Sequence, residues 1–288
     1  MYAITGITGK IGGAVGHALL SNRQPVRAVV RDVETAGFWT SQGCAIAQAD
    51  MLDPAALTAA FSGAQGVFIL PPSKLDSVPG FYGAHAVLAA IKQALEAARP
   101  AKIVCLSTVG AHVQRANLLT QRTLMEQALG ELSIPVTFLR PGWLMENIAS
   151  EVASARDTGR VASFLRPFDK PVPMVATADV GRVAAELLQQ SWTGKRIVEL
   201  EGPRRIAPND IAEASGKILG REVHAQMVPR VTWSELFKAQ GLQYPLPRMQ
   251  MLDGFNEGWI DFEQRESDVV KGEVELETVL RELLDSAG

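Results

Sequence analysis

The stretch Gly6-Ile7-Thr8-Gly9-Lys10-Ile11-Gly12 decides the fold of this chain. The short apolar run 2–5 precedes it and predicts a strand, and apolar residues at helical spacing follow it and predict a helix. Glycine lets a strand turn sharply into a helix and leaves backbone N–H groups open to a phosphate. In this context the three regularly spaced glycines predict a dinucleotide site, and the alternative is a tight turn without a ligand. The residues expected to hold the diphosphate are Gly6, Thr8, Gly9, Lys10 and Ile11.

Beyond this turn, short apolar runs alternate with helical patterns. We predict strands at 26–30, 44–48, 66–70, 103–106 and 136–139, and helices that begin at Asp53-Pro54, cover 118–130 and separate the other strands. Continuous apolar strands that alternate with helices indicate a parallel sheet covered on both faces. The predicted fold class is therefore α/β, a doubly wound parallel sheet of the Rossmann type.

The pattern loosens after residue 142. We expect Asp179 to cap a helix that runs to about residue 190, a strand at 196–200, and a mostly helical chain from residue 208. The predicted dinucleotide-binding domain covers 1–142 and about 172–202, and a smaller substrate-side lobe covers 143–171 and 203–288.

Composition and charge exclude several classes of protein. Hydrophobic residues make up 47% and charged residues 20% of the 288 residues, as in ordinary globular proteins. Two cysteines, Cys44 and Cys105, exclude a disulfide scaffold, and we expect a reducing, cytoplasmic compartment and no metal site. The net charge of −3 without a basic stripe argues against a nucleic-acid partner, and no apolar run is long enough to span a membrane.

The end of the second predicted strand carries Arg31 and Asp32. A carboxylate at the strand tip is typical of NAD(H) sites, whereas a guanidinium fits the 2′-phosphate of NADP(H). Because Arg31 takes the tip position and Lys10 adds charge nearby, we predict NADP(H) over NAD(H). The alternative is that Arg31 is a solvated charge and Asp32 binds the ribose.

Other candidate site residues follow the later strands, because ligands of open α/β sheets bind at the carboxyl ends. Asp50 is expected near the adenine, although a turn aspartate is an equal alternative. The remaining candidates for the cofactor are Leu70, Pro71 and Ser107, and those for a substrate pocket are Thr108, Trp143 and Asn147.

Together these residues resemble the NmrA-like family, atypical members of the extended short-chain dehydrogenase/reductase group. The resemblance rests on the glycine turn, on Val29-Val30-Arg31-Asp32, on Gln48-Ala49-Asp50, on Leu106-Ser107-Thr108 and on the run from Val136 to Trp143 with Glu146-Asn147. The family includes NADPH-dependent quinone oxidoreductases, aromatic ether reductases and cofactor-sensing regulators. The resemblance implies NADP(H) binding more firmly than any particular reaction.

The chain departs from the Tyr-x-x-x-Lys pair that the resemblance would place in the active site. None of its three tyrosines has a lysine four residues later, and the corresponding positions hold Leu118 and Arg122. Arg122 cannot shuttle a proton, but it can bind the ribose or stabilise an oxyanion; the alternative is an exposed ion pair with Glu126. His112 is a second catalytic candidate, with a solvated loop histidine as the alternative.

These observations favour hydride transfer from NADPH to a quinone or a similar activated acceptor. Reduction of a ketone yields a strongly basic alkoxide that needs an acid, whereas reduction of a quinone yields a stabilised anion. The rival hypothesis is a non-catalytic NADP(H) sensor that acts through a protein partner. The expected partner is a small aromatic acceptor, and a homodimer is left open.

Overall fold

The computed structural model describes residues 1–286. Within these residues the chain forms twelve strands: Tyr2–Thr5 (β1), Val26–Val30 (β2), Ala45–Gln48 (β3), Gly66–Ile69 (β4), Ile103–Leu106 (β5), Val136–Pro141 (β6), Trp143–Leu144 (β7), Arg160–Ser163 (β8), Met174–Val175 (β9), Lys195–Glu201 (β10), His224–Met227 (β11) and Val270–Lys271 (β12). The same residues form eleven α-helices: Lys10–Ser21 (α1), Gly37–Ser41 (α2), Pro54–Phe61 (α3), Tyr82–Ala98 (α4), Thr120–Leu129 (α5), Ala149–Thr158 (α6), Thr177–Gln189 (α7), Pro208–Leu219 (α8), Trp233–Ala239 (α9), Leu246–Glu257 (α10) and Leu276–Ser286 (α11).

Eight of the strands described in residues 1–286 form one parallel sheet in the order β12-β10-β6-β5-β4-β1-β2-β3. Strands β1, β4, β5 and β6 are buried along their whole length, and β4 and β5 have no polar side chain, as is typical of a parallel sheet covered on both faces. The predicted strands are all present. The doubly wound α/β fold is therefore confirmed.

Helices cover both faces of this sheet. Apolar side chains of α1 and α7 pack on one face, and those of α3, α4 and α5 pack on the other. Helices α1 and α7 approach closely because Gly181 has no side chain: a Cβ there would lie 2.4 Å from the Cβ of Ala14. This close contact fixes the first helix, whose start forms the glycine turn.

A separate cluster of buried hydrophobic residues organises the elements outside the sheet. It joins α6, α8, α9, α10 and α11 around large side chains that include Trp233, Phe237 and Phe255. Strands β8 and β11 pair in parallel beside this cluster, and β7 pairs with β9. The division of the chain into two lobes stays a prediction.

The structure differs from the sequence-based expectations at several points, two of which concern the main sheet and the helix α7 beside it. Helix α7 begins at Thr177, so Asp179 lies inside its first turn and does not cap it. The Asp179 carboxylate is buried and accepts hydrogen bonds of 2.9 Å from the backbone N–H groups of Glu273 and Val274. The second difference is β12, which was not expected and which adds an edge strand to the main sheet beside β10.

Among the helices of residues 1–286, none is both long enough and apolar enough to cross a lipid bilayer.

Candidate active site

A cleft of about 1020 Å³ opens at the carboxyl ends of β1, β2, β3 and β4. It is the position where open α/β sheets bind their ligands. Because β1 lies between β2 and β4 in the sheet, the cleft runs from the tips of β3 and β2, across the glycine turn, to the tip of β4 and the start of α5.

Backbone geometry explains the glycine turn. Gly6 has a φ of +66°, a conformation that glycine adopts without strain. A Cβ on Gly12 would lie 2.2 Å from the carbonyl oxygen of Gly6, so a side chain at Gly12 would push the helix away from the turn. A Cβ on Gly9 would meet only that same oxygen, at 3.4 Å. The site therefore requires glycine at Gly6 and Gly12 to form, while Gly9 leaves space above the turn.

Helix α1 begins at the cleft, which its N-cap residue Gly9 lines. Gly9 is its N-cap and supplies no side chain to the free backbone N–H groups. An uncapped helix start with a positive dipole is a site for an anion. The turn and the helix start thus fit a diphosphate group.

Thr5 is a residue of this region that the sequence analysis missed. Its buried hydroxyl donates to the carbonyl oxygen of Phe68 at 3.0 Å and accepts from the N–H of Leu70 at 2.8 Å. The hydroxyl thereby joins the end of β4 to the glycine turn. A threonine at the end of an apolar strand was the only signal for this role in the sequence.

The carboxylates that follow β2 and β3, Asp32 and Asp50, accept hydrogen bonds from nearby backbone N–H groups. Asp32 accepts a hydrogen bond from the N–H of Glu34 at 3.0 Å and caps a short 3₁₀ helix, and Asp50 accepts from the N–H of Leu52 at 2.8 Å. Arg31 lies exposed beside them in the cleft wall. The carboxylates therefore stabilise turns, whereas the Arg31 guanidinium is available to a ligand.

Arg122 lies at the opposite end of the cleft. Its Nη2 donates a hydrogen bond of 3.0 Å to the carbonyl oxygen of Pro71. Burial lowers the pKa of Arg122 to about 10, which leaves the side chain cationic at neutral pH. The alternative ion pair with Glu126 is wrong, because Glu126 binds Arg140 through hydrogen bonds of 2.8 and 2.7 Å.

Ser107 belongs to this buried ion-pair network. Its hydroxyl donates to the Glu126 carboxylate at 2.5 Å, and it is not among the residues that line the cleft. Arg140, in the same network, also donates to Glu263 at 2.9 Å. In this structure the Ser107 side chain thus connects the end of β5 to α5.

The structure places the predicted site residues in two groups. Those that line the cleft are Gly6, Thr8, Gly9, Arg31, Asp50, Leu70, Pro71 and Arg122. Those that lie outside its lining are Lys10, Ile11, Ser107, Thr108, His112, Trp143 and Asn147. The roles assigned to both groups stay predictions.

The residues predicted to lie on the acceptor side differ in their burial and in their hydrogen bonding. Trp143 packs its ring 5.1 Å from that of Phe255, centroid to centroid, and its buried Nε1 has no hydrogen-bond partner among the described residues. The Nδ1 of His112 is likewise buried without a partner in that part of the chain, and Asn147 is exposed. No group of three or more His, Cys, Asp or Glu side chains within residues 1–286 is arranged to hold a metal ion.

Comparison with known proteins identifies the family. The model of the NmrA-like family matches residues 2–283. The chain belongs to the NmrA-like family. Membership agrees with the glycine turn at the start of the chain and with the sheet that positions it.

Curated relatives of this NmrA-like protein include reductases. The chain is 27% identical over 228 residues to an NAD(P)H azoreductase of Xenophilus azovorans, an alignment that covers 77% of this chain and 75% of the relative. It is 26% identical over 245 residues to quinone oxidoreductase 2 of Escherichia coli strain K12, covering 84% and 82%.

Solved structures share its fold. The NADPH-dependent quinone oxidoreductase QOR2 of Escherichia coli in complex with NADPH superposes with a TM-score of 0.82 at 24% identity, covering 99% of this chain and all of that chain. The triphenylmethane reductase of Citrobacter sp. in complex with NADP(H) gives a TM-score of 0.81 at 20% identity, covering 98% and 99%. At these identities the likeness establishes the fold.

Proposed function

We propose that this protein is an NADPH-dependent oxidoreductase whose acceptor is a quinone or another planar, activated compound. The observation that carries the proposal is the charge arrangement of the cleft, with an exposed guanidinium at one end, Arg31, and a cationic Arg122 at the other. Among the described residues that line the cleft, none is a tyrosine or a histidine. The names of the azoreductase and quinone oxidoreductase relatives support the same class of reaction.

The cleft fits the cofactor. The uncapped start of α1 offers N–H groups to the diphosphate, and the missing side chain of Gly9 lets that group approach. Arg31 offers a fork of donors to a 2′-phosphate. NADPH, when bound, supplies the hydride for the reaction.

Arg122 has the chemistry to stabilise negative charge on the acceptor. A guanidinium that stays protonated offers a fixed positive charge and several N–H donors, but no proton to transfer. Quinones suit such a site because their reduced anion is delocalised and takes its proton from water. A simple ketone does not suit it, because its alkoxide would need an acid in contact.

Turnover of a matched set of acceptors tests the proposal. With NADPH in excess, 2-methyl-1,4-naphthoquinone is expected to be reduced faster than the background oxidation of NADPH, and cyclohexanone is expected to show no rate. Arg122→Met should lower kcat/KM for the quinone about 100-fold, as the loss of an oxyanion donor does, and Arg281→Met, at an exposed position of α11, should not.

Cofactor titrations form the second arm of this test. Arg31→Ala should weaken NADPH binding about tenfold to a hundredfold and leave NADH binding unchanged, since only NADPH carries the 2′-phosphate. Tight NADPH binding without any quinone reduction would contradict the proposed enzymatic function. It would favour a cofactor sensor, a role that does not need the missing Tyr-x-x-x-Lys pair.

A further inference from the structure

The segment between β4 and α4, here called the cleft loop (residues 71–81), is held from α5 by two consecutive side chains. Arg122 donates to the carbonyl oxygen of Pro71, as described above. Gln121 makes a reciprocal pair of bonds with the backbone of Lys74: its Oε1 accepts from the N–H at 3.3 Å and its Nε2 donates to the C=O at 3.1 Å. A side-chain amide that satisfies both backbone groups of one residue fixes that residue's position.

Gln121 is itself held in place. Its side chain is only 8% exposed, and its Nε2 also lies within hydrogen-bond distance of the carbonyl oxygen of Leu118, at 3.3 Å. A buried amide that lost these partners would leave polar atoms unpaired, which is costly. The geometry therefore favours one position of the cleft loop relative to α5.

The C-terminal half of the chain holds the other side of the cleft loop. The Asp76 carboxylate accepts a hydrogen bond of 2.7 Å from the N–H of Tyr244. Close by, the N–H of Leu118 donates to the carbonyl oxygen of Pro247 at 2.9 Å. The cleft loop, the segment that leads into α5 and the start of α10 thus meet at one end of the cleft.

This end is the one that an acceptor would use under the proposed function. The tips of β2 and β3, with Arg31, lie on the other side of β1 and suit the adenosine half of the cofactor. The wall at the β4 end includes the apolar side chains of Pro72 and Val78, the latter 43% exposed. An exposed apolar surface beside a cation suits a flat, electron-poor ring.

We propose that Gln121 is a positioning residue that fixes the cleft loop, and that the loop forms one wall of the acceptor site. This inference rests on the proposed function. Residues 72–78 make the contacts that decide which planar acceptors fit. Gln121 itself does not touch the reacting atoms.

The test compares binding of acceptor and cofactor in Gln121→Met, which keeps the side-chain length and removes both bonds to Lys74. The dissociation constant for 2-methyl-1,4-naphthoquinone, measured by tryptophan fluorescence with NADP⁺ bound, should rise about fivefold to thirtyfold, the range expected for one or two lost hydrogen bonds. The dissociation constant for NADPH should stay within about twofold, because the residues proposed to bind the cofactor are unchanged. Gln114→Met, which alters an exposed glutamine outside the cleft lining, is the control.

The outcomes separate this inference from the proposed function. Equal losses for quinone and NADPH, or no loss for either, would overturn the positioning role, even if the wild-type protein reduces quinones. If the wild-type protein reduces no acceptor, the proposed function fails, while the quinone-binding comparison still decides the role of Gln121. If Gln121→Met does not fold, Asp76→Ala loosens the loop from its other side, and unchanged quinone binding in that variant would overturn the proposal.

Discussion

Gly9 and Gly12 lie three residues apart in one turn, yet the space around them differs. At Gly12 the position of a Cβ is blocked by the Gly6 backbone, and at Gly9 it is open apart from one contact at 3.4 Å. Gly12 is therefore needed for the packing of α1 on β1, and we propose that Gly9 leaves room for the ligand. The glycine spacing between a strand and a helix predicted the turn, and the structure adds the distances that separate the two positions.

Alanine substitutions at these two positions should separate binding from stability. Gly12→Ala forces a methyl group against backbone atoms and should lower the free energy of unfolding by about 3 kcal/mol or more. Gly9→Ala should change it by less than about 1 kcal/mol, because the residue has an extended conformation that alanine adopts, and should abolish NADPH binding. Urea unfolding and cofactor titration of both variants provide the measurements, and normal NADPH affinity in Gly9→Ala would contradict the assigned phosphate site.

At the scale of elements, neighbouring turns of α5 contact two different parts of the protein: the cleft loop and the buried ion-pair network. Gln121 and Arg122 point to the cleft loop, and Glu126, one turn later, binds Arg140 at the end of β6 and Ser107 after β5. The carboxylate thereby fixes the helix against the sheet. The geometry of the first turn of α5 thus depends on a charge network buried beneath it.

Breaking this network should destabilise the protein strongly. Arg140 is 3% exposed, and Arg140→Met would leave the carboxylates of Glu126 and Glu199 buried without a cation. Loss of one member of a buried ion pair typically costs about 3–5 kcal/mol, so we expect a loss of that size in urea unfolding. Lys217→Met removes an ion pair in which both side chains are 67% exposed and should cost less than about 1 kcal/mol. A similar loss of unfolding free energy in Arg140→Met and Lys217→Met would show that burial of the ion pair does not determine its contribution to stability.

Sequence patterns predicted the central strands of the sheet but not its edge strand or the long-range side-chain contacts. Strands β1 to β6 were predicted because each contains a short, mostly apolar run, although β3 is only partly buried. Strand β12 has only two residues, both exposed, so no hydrophobic pattern marks it. Asp179 was misassigned as a cap because an aspartate near a helix start has that preference. Its carboxylate instead pairs with Arg182 on the same helix and accepts from two backbone N–H groups more than ninety residues away. The same limit applies to Gln121, whose role depends on contact with Lys74.

At the scale of the whole molecule, the C-terminal residues are bound to the sheet at several points. Lys271 pairs with the buried carboxylate of Glu201 at 2.5 Å, and Arg205 holds Asp261 through bonds of 2.8 and 2.9 Å. Together with the Asp179 contacts, these bonds connect the sheet to the segment that leads into α11. Residues 261–274 are therefore held against the elements that build the main sheet.

Glu151, in the first turn of α6, should make the stability of the folded protein depend on pH. Burial raises the pKa of its carboxyl from about 4.5 to about 7, and the charge of Arg248 opposes part of that rise. The folded state thus holds a proton that the unfolded state has lost between these two values. Stability conferred by the neutral carboxyl is complete below about pH 4.5 and declines as the pH rises to 7.

Replacement of this carboxyl by an amide tests the effect. Glu151→Gln should match the wild-type free energy of unfolding near pH 4.5 and exceed it at pH 8, by on the order of 1–3 kcal/mol, because the amide carries no charge to bury. Urea unfolding from pH 4 to pH 8 gives both curves, with Glu282→Gln, at an exposed position of α11, as the control. Curves for Glu151→Gln and the wild-type protein that run parallel across this range would mean that Glu151 titrates alike in the folded and unfolded chains.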